Sequence, residues 1–275
     1  MTDKNRNLLV RVVTALVLLP LVLRLIWLGG IWFALLLSVA AALCALELNL
    51  LPRGGEKGAA LSGAALVSMG GAFLLPLLIE VRFWIVTANV VLAAVLIIAF
   101  TDALLFEEQI DDAPRRVGLA LLGAVYPGLL LSALVRLRQH PRGEWWILLA
   151  LTVTWMNDTC AYFAGRAFGR RKLYPRISPS KTWEGAIGGA LGSMAGAIAV
   201  QLLWIPQLPT WGAALIGAGA ALLGPLGDLS ESMLKRAFGA KDSGHLLPGH
   251  GGMLDRIDAL IFNAPFVLLC ARLLT

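Results

Sequence analysis

Residues 84–100 read WIVTANVVLAAVLIIAF, an uninterrupted stretch without a charged side chain. As a helix it is long enough to cross the hydrocarbon core of a bilayer, which takes about 17–25 residues. Comparable runs occupy 10–28, 31–50, 59–79, 117–138, 145–164, 185–205, 210–227 and 256–274, nine in all with 84–100. The 275 residues are 58% hydrophobic and only 15% charged, against about 25% charged in soluble domains. Mean hydropathy is +0.78. The expected fold is therefore all-α: a polytopic integral membrane protein of about nine transmembrane helices. The first run has the basic start of a signal peptide (Lys4, Arg6, Arg11) but no small-residue cleavage site, and Arg24 and Trp27 follow it. It reads as the first membrane helix.

The polar residues set the organisation. Up to about residue 150 they lie mainly in short connections, such as Leu51-Pro-Arg-Gly-Gly-Glu-Lys-Gly58 and the acidic TDALLFEEQIDDAPRR at 101–116. Beyond it come two long polar loops, 165–184 and 228–255. This divides the chain into N-terminal membrane helices (1–150), with potential lipid or dimer contacts, and a catalytic membrane region (151–275). Two helices separate the loops, so both face one side. Loop 165–184 holds Arg166, Arg170, Arg171, Lys172, Arg176 and Lys181 against Glu184 alone, which marks that side as cytoplasmic. Arg136, Arg138 and Arg142 run against this rule, and the orientation of loop 139–144 stays open. The expected location is the bacterial inner membrane, with the site facing the cytoplasm.

Several features take a structural reading. Net charge is +6, which fits basic loops at an anionic leaflet, and no nucleic-acid partner is expected. Cys44, Cys160 and Cys270 sit in apolar segments at no metal-like spacing. Gly185, Gly188, Gly189, Gly192 and Gly196 have the spacing of close helix packing, within the chain or between copies. Trp32, Trp84, Trp145, Trp146 and Trp211 fall near span ends, as in an interfacial belt.

Three segments carry chemistry. In GPLGDLSESMLKR (224–236), a helix would put Asp228, Glu231, Ser232 and Lys235 on one face. These residues would be mere i,i+4 pairs on a soluble surface. At the end of an apolar span, carboxylates usually bind a cation or line a polar cavity. In KDSGHLLPGHGGMLDRID (241–258), glycines allow close backbone approach to a ligand. Asp255 and Asp258 then open the last span, where helix capping is the bland alternative. In NDTCAYFAGRAFGRRKLYPRISPSKTWEG (157–185), Asp158 lies near the end of a span. Bases follow it with Ser178 and Ser180, the kinds of donor that hold phosphates. Hard oxygen donors without cysteine point to Mg²⁺ shared with substrate phosphates. The residues thus describe a membrane-embedded, Mg²⁺-dependent enzyme acting on phosphates.

Read together, the segments resemble the CDP-diacylglycerol synthase (phosphatidate cytidylyltransferase) family. The resemblance rests on Ser232-Met-Leu-Lys235-Arg236, Lys241-Asp242 and His250-Gly-Gly-Met-Leu-Asp255-Arg256-Ile-Asp258. Upstream it rests on Asp158, Ala161-Tyr162, Gly165-Arg166, Phe168-Gly169 and Ser178-Pro-Ser-Lys-Thr-Trp-Glu-Gly185, and it covers roughly 155–260. Thr159-Cys160 departs from the family's small residues there. The resemblance implies CTP and phosphatidic acid as substrates, CDP-diacylglycerol and pyrophosphate as products, and a divalent metal at Asp228 and Asp255. It also implies a second cation, K⁺. Glu231 and Asp158 join the expected metal set. Lys172, Arg176, Ser178, Ser180, Lys181, Lys235, Arg236 and Arg256 are the expected phosphate contacts. Asp242, His250 and Asp258 belong to the site without an assigned role. A CTP-dependent lipid-alcohol kinase and, from another class, an ion-coupled transporter remain alternatives; a homodimer is a further expectation.

Overall fold

The computed structural model describes residues 3–53, 62–80, 84–106, 110–244 and 251–275, with side chains from Leu16 onward (Arg53 and Glu80 excepted). His245 and His250 lie outside the described residues. Ten α-helices appear in it: α1 (Asp3–Leu28), α2 (Gly30–Leu50), α3 (Gly63–Leu77), α4 (Trp84–Phe106), α5 (Ala113–Gly123), α6 (Leu130–Arg138), α7 (Gly143–Phe168), α8 (Trp183–Trp204), α9 (Thr210–Ala237) and α10 (Leu254–Leu274). A π-helical segment, Ala124–Leu129, joins α5 to α6, so the two run as one. These helical runs coincide with the nine apolar stretches of the sequence. Six are long and apolar enough to cross a membrane: α2, α4, the Ile110–Arg138 run, α8, α9 and α10. Segment Leu16–Leu28 of α1 and helix α3 are apolar but shorter, while α7, with Asn157, Asp158 and Arg166, is too polar to count with them. The chain is an integral membrane protein built from α-helices.

It divides into two compact units, 1–135 with 238–256, and 136–237 with 257–275.

In the first unit α3 packs against α2, α4, α5 and the π-helical segment. A side chain on Gly128 would come within 2.7 Å of the Ala72 Cα, so glycine is what lets the segment touch α3. Pro127 lies in this wider turn, where its missing N–H costs least. Asp102 of α4 is buried; it accepts from the Ala64 N–H at 3.0 Å and from Arg116 Nη2 at 2.8 Å. It caps the start of α3, beside the Ser62 hydroxyl, which accepts from the Ala65 N–H at 3.2 Å. The acid at the head of the expected 101–116 linker is thus a helix residue with a structural partner.

In the second unit α7, α8 and α9 pack together. The glycines of α8 lie against α7: an added Cβ would meet Ala161 O at Gly185, Asn157 at Gly189 and Met156 at Gly196, at 2.6–3.0 Å. Their packing reading holds, and the partner is within the chain. Both expected long loops are shorter than the sequence indicated. Helix α7 continues to Phe168, and a two-stranded antiparallel hairpin follows, β1 (Lys172–Tyr174) and β2 (Ser178–Thr182). Helix α9 runs past the apolar segment to Ala237. The exceptional arginines of the 139–144 region have protein partners. Arg138 Nη1 pairs with Glu144 Oε2 at 3.2 Å, and Arg142 Nη1 donates to the Trp204 carbonyl at 2.9 Å. Trp145 stacks on Trp204 at the same end of the helices, ring centroids 5.0 Å apart.

Candidate active site

In the second unit, α7, α8, α9 and the hairpin enclose a cavity of about 590 Å³, within the 300–1,000 Å³ typical of small-molecule sites. Its construction begins with three glycines around Thr182. That residue caps α8, its Oγ1 accepting from the Gly185 N–H at 3.1 Å. A Cβ on Gly165, Gly169 or Gly185 would reach Thr182 at about 3.0–3.1 Å, so these positions stay bare where α7 ends and α8 begins. Glu184 accepts from the Arg170 and Arg171 N–H groups at 3.1 and 3.3 Å. It thereby ties the segment between α7 and β1 to the first turn of α8. The hairpin register Lys172↔Thr182 and Tyr174↔Ser178 places Ser180 and Lys181 on the cavity wall.

The polar side of the cavity comprises Asp158, Asn157, Arg166, Ser180, Lys181 and Asp228. Lys181 Nζ donates to Asp228 Oδ2 at 2.6 Å, with both side chains partly exposed. Ser232 Oγ donates to Asp228 Oδ1 at 3.3 Å. Asp158, Asp228 and Asp258 lie within electrostatic reach of one another and of Lys181. They are brought together by small residues: a Cβ on Gly227 would meet the Asp258 carbonyl at 2.5 Å, so α9 and α10 touch backbone to backbone there. Arg166 Nη1 donates to the Tyr162 hydroxyl at 3.0 Å. Ala161, Leu173 and Pro225 add apolar lining.

The helix-face reading of α9 holds. Glu231 is buried and accepts from Lys235 Nζ at 2.8 Å. The two form an internal i,i+4 ion pair, which gives the expected metal ligand and the expected phosphate contact to each other.

In the first unit, Asp255 Oδ2 accepts from the Ser243 N–H at 3.1 Å, the Ser243 hydroxyl at 3.0 Å and the Gly252 N–H at 3.1 Å. Glu47 of α2, which the motif reading passed over, meets the same segment. Its Oε1 accepts from the Met253 N–H at 2.8 Å; its Oε2 accepts from the Leu254 N–H and the Ser243 hydroxyl, both at 2.9 Å. The signal available for Glu47 was its position as a lone acid in an apolar span. Gly252 acquires a local reason to be glycine, since a Cβ there would lie 2.7 Å from Glu47 Oε2 and 2.9 Å from Asp255 Oδ2. Its expected role was to let backbone approach a phosphate.

The remaining expected residues are placed as follows. Lys172 is on β1, Ser178 on β2 and Arg176 in the turn between the strands; the two bases are exposed. Arg236 is exposed in the last turn of α9. Asp242 is exposed and Arg256 is exposed in the first turn of α10, both in the first unit. Asp228 belongs to the second unit and Asp255 to the first.

Among the described residues, no three His, Cys, Asp or Glu side chains converge into a ready-made metal cage. The donors present are carboxylates without thiolates. Such a set fits Mg²⁺, which binds through one or two carboxylates and completes its shell with water and substrate phosphates.

The chain matches the model of the Cytidylyltransferase family over residues 9–274. It is 38% identical over 268 residues to the phosphatidate cytidylyltransferase of Brucella suis biovar 1 (strain 1330), covering 96% of this chain and 93% of that protein. It is 38% identical over 262 residues to the phosphatidate cytidylyltransferase of Pseudomonas aeruginosa, covering 93% of each. With the Bacillus subtilis (strain 168) protein of the same name it shares 42% identity over 152 residues, 55% of this chain. The likeness reaches well beyond 155–260, into the first 150 residues, where the motifs showed only shared hydrophobicity. A model matched from residue 9 to residue 274, and relatives aligned along almost their full length, place this chain in the cytidylyltransferase family.

Proposed function

We propose that this protein transfers CMP from CTP to phosphatidic acid, giving CDP-diacylglycerol and pyrophosphate. The observation that carries the proposal is the family match along the whole chain. The cavity, lined by carboxylates, bases and apolar residues together, supports it. A phosphate oxygen of phosphatidic acid attacks the α-phosphorus of CTP; the bond from that phosphorus to the bridging oxygen breaks, and pyrophosphate leaves. The attacking phosphate is already anionic near neutral pH, so no general base is required. The protein's work is positioning and charge neutralisation.

Lys181 and Asp228 are suited to that work because each holds the other through a partly exposed side chain that can change partners. A triphosphate offers the ammonium a stronger partner, and a cation offers one to the carboxylate. Ser180 and Arg166 supply further donors on the same wall, with Lys172 and Arg176 of the hairpin as outer phosphate contacts. Mg²⁺, when bound, neutralises charge on the triphosphate and on the departing pyrophosphate. Asp228, Asp158 and Asp255 are the carboxylates proposed to hold it, with K⁺ as a proposed second cation. Asp258 adds a third carboxyl group beside Asp228 and Asp158, while Asp242 and His250 stay assigned to the site by motif. The bases of the hairpin support a site facing the cytoplasm of a bacterial inner membrane. A homodimer would use surfaces other than the glycine face of α8, which α7 already covers.

The test is incubation of purified protein with radiolabelled CTP, phosphatidic acid and Mg²⁺. A labelled, lipid-extractable product is expected; its absence overturns the proposal.

A further inference from the structure

We infer that Glu47 is a positioning residue for the reaction: it holds Asp255 and the start of α10 in their working arrangement. The inference rests on the proposed cytidylyl transfer and on Asp255 as one of its cation-holding groups.

Glu47 is 1% exposed, and no base pairs with it among the described residues. A buried carboxylate is costly unless its oxygens are satisfied. Here the satisfaction comes from the backbone that precedes Asp255. The Met253 and Leu254 N–H groups both point at Glu47. These are N–H groups that open a helix and have no carbonyl partner within it, so Glu47 caps α10 from another helix. The Ser243 hydroxyl then lies 2.9 Å from Glu47 Oε2 and 3.0 Å from Asp255 Oδ2. It has one proton for two carboxyl oxygens, so it links the two groups.

Capping alone does not account for this arrangement. A serine or aspartate immediately before the helix would cap it without burying a distant acid. Glu47 instead buries a second carboxyl group beside Asp255, with Ser243 between them, which is unfavourable for the protein by itself. Gly244 and Gly252 are both held bare by it, a Cβ on either lying 2.7–2.8 Å from a Glu47 oxygen. Such a locally costly arrangement is characteristic of functional sites. The shared hydroxyl fixes the orientation of Asp255. Groups that orient a metal-holding side chain in this way typically account for about 10- to 100-fold in metal affinity or activity.

The experiment compares the full-length protein with Glu47→Gln, Ser243→Ala and Asp255→Asn, each in detergent. Mn²⁺ binding is followed by electron paramagnetic resonance, turnover by steady-state kinetics and folding by thermal unfolding. Glu47→Gln keeps the shape but puts an amide donor against an N–H or hydroxyl donor. It is expected to weaken Mn²⁺ binding and lower kcat by about 10- to 100-fold, with KM for CTP little changed. Ser243→Ala leaves the cap on Met253 and Leu254 intact and cuts only the link to Asp255; a smaller loss in the same two readouts is expected. It decides the matter if Glu47→Gln fails to fold. Parent-like Mn²⁺ affinity and kcat in the variants that fold, with a lowered unfolding temperature, would make Glu47 merely structural and overturn the inference. Parent-like behaviour of Asp255→Asn would overturn it differently, by removing Asp255 from the cation site; loss in Asp255→Asn alone would overturn the role of Glu47 only.

Discussion

Glu47 and Asp255 of the first unit and Asp228 of the second are held in opposite ways. In the first, Glu47 and Asp255 are fastened by four backbone N–H groups and one hydroxyl. Backbone donors cannot leave without unfolding the segment, so these acids have fixed positions. In the second, Asp228 is held by a lysine side chain and a serine hydroxyl, beside a cavity. Those partners can swing away. One set is built to stay and the other to exchange partners.

The sharpest way to break this comparison is to neutralise one acid from each set. Asp228→Asn and Asp255→Asn should each abolish turnover, measured with labelled CTP, while the protein still folds and inserts. Near-normal activity in either removes that residue from the site. Next in size is Lys181→Met, which takes away both the partner of Asp228 and a phosphate contact. A loss of about 10²- to 10³-fold in kcat is expected, as for removal of one preorganised donor. A change smaller than tenfold would mean that the exchangeable pair is ornamental.

Gly252→Ala probes the fixed set by steric means. The added methyl would crowd Glu47 and Asp255, and overpacking of this kind costs about 1–3 kcal/mol. Lower thermal stability with reduced activity is expected, whereas Gly239→Ala serves as a strain control with open space around it. Asp102→Asn weakens a structural ion pair in the same unit. It should lower stability without lowering the activity of the protein that remains folded, since Asp102 contacts Arg116 and the α3 N-terminus. The smallest effect belongs to Lys172→Ala and Arg176→Ala. Both side chains are exposed, so each should raise KM for CTP a few-fold, and less at high salt where exposed charges are screened.

Much of the fold was legible because the signal for a membrane helix is local: a run of apolar residues, such as 84–100, suffices. Where helices continue past that run, the signal fades. The spacing of Asp228, Glu231 and Lys235 fits one face of a helix, yet charge from 228 onward marks the membrane boundary and says nothing about where the helix ends. The hairpin at 172–182 was invisible, being short, polar and without alternation. The motifs located Lys181, Ser180, Asp158 and Asp228, which the structure brings to one cavity. They could not show that Glu231 and Lys235 pair with each other, because pairing on a helix depends on burial and rotamer. Glu47 is separated from Ser243 by 196 positions, and no short motif spans such a gap. Its isolation in an apolar helix was the one available clue.

The central claim is that a cytidylyl group, and not a terminal phosphoryl group, reaches the lipid. Parallel reactions with phosphatidic acid and Mg²⁺, one with CTP labelled at the α-phosphorus and one with CTP labelled at the γ-phosphorus, test it most directly. The account predicts that α-label enters the lipid phase and γ-label is released as pyrophosphate. Lipid carrying γ-label, or no labelled lipid in either reaction, would contradict it.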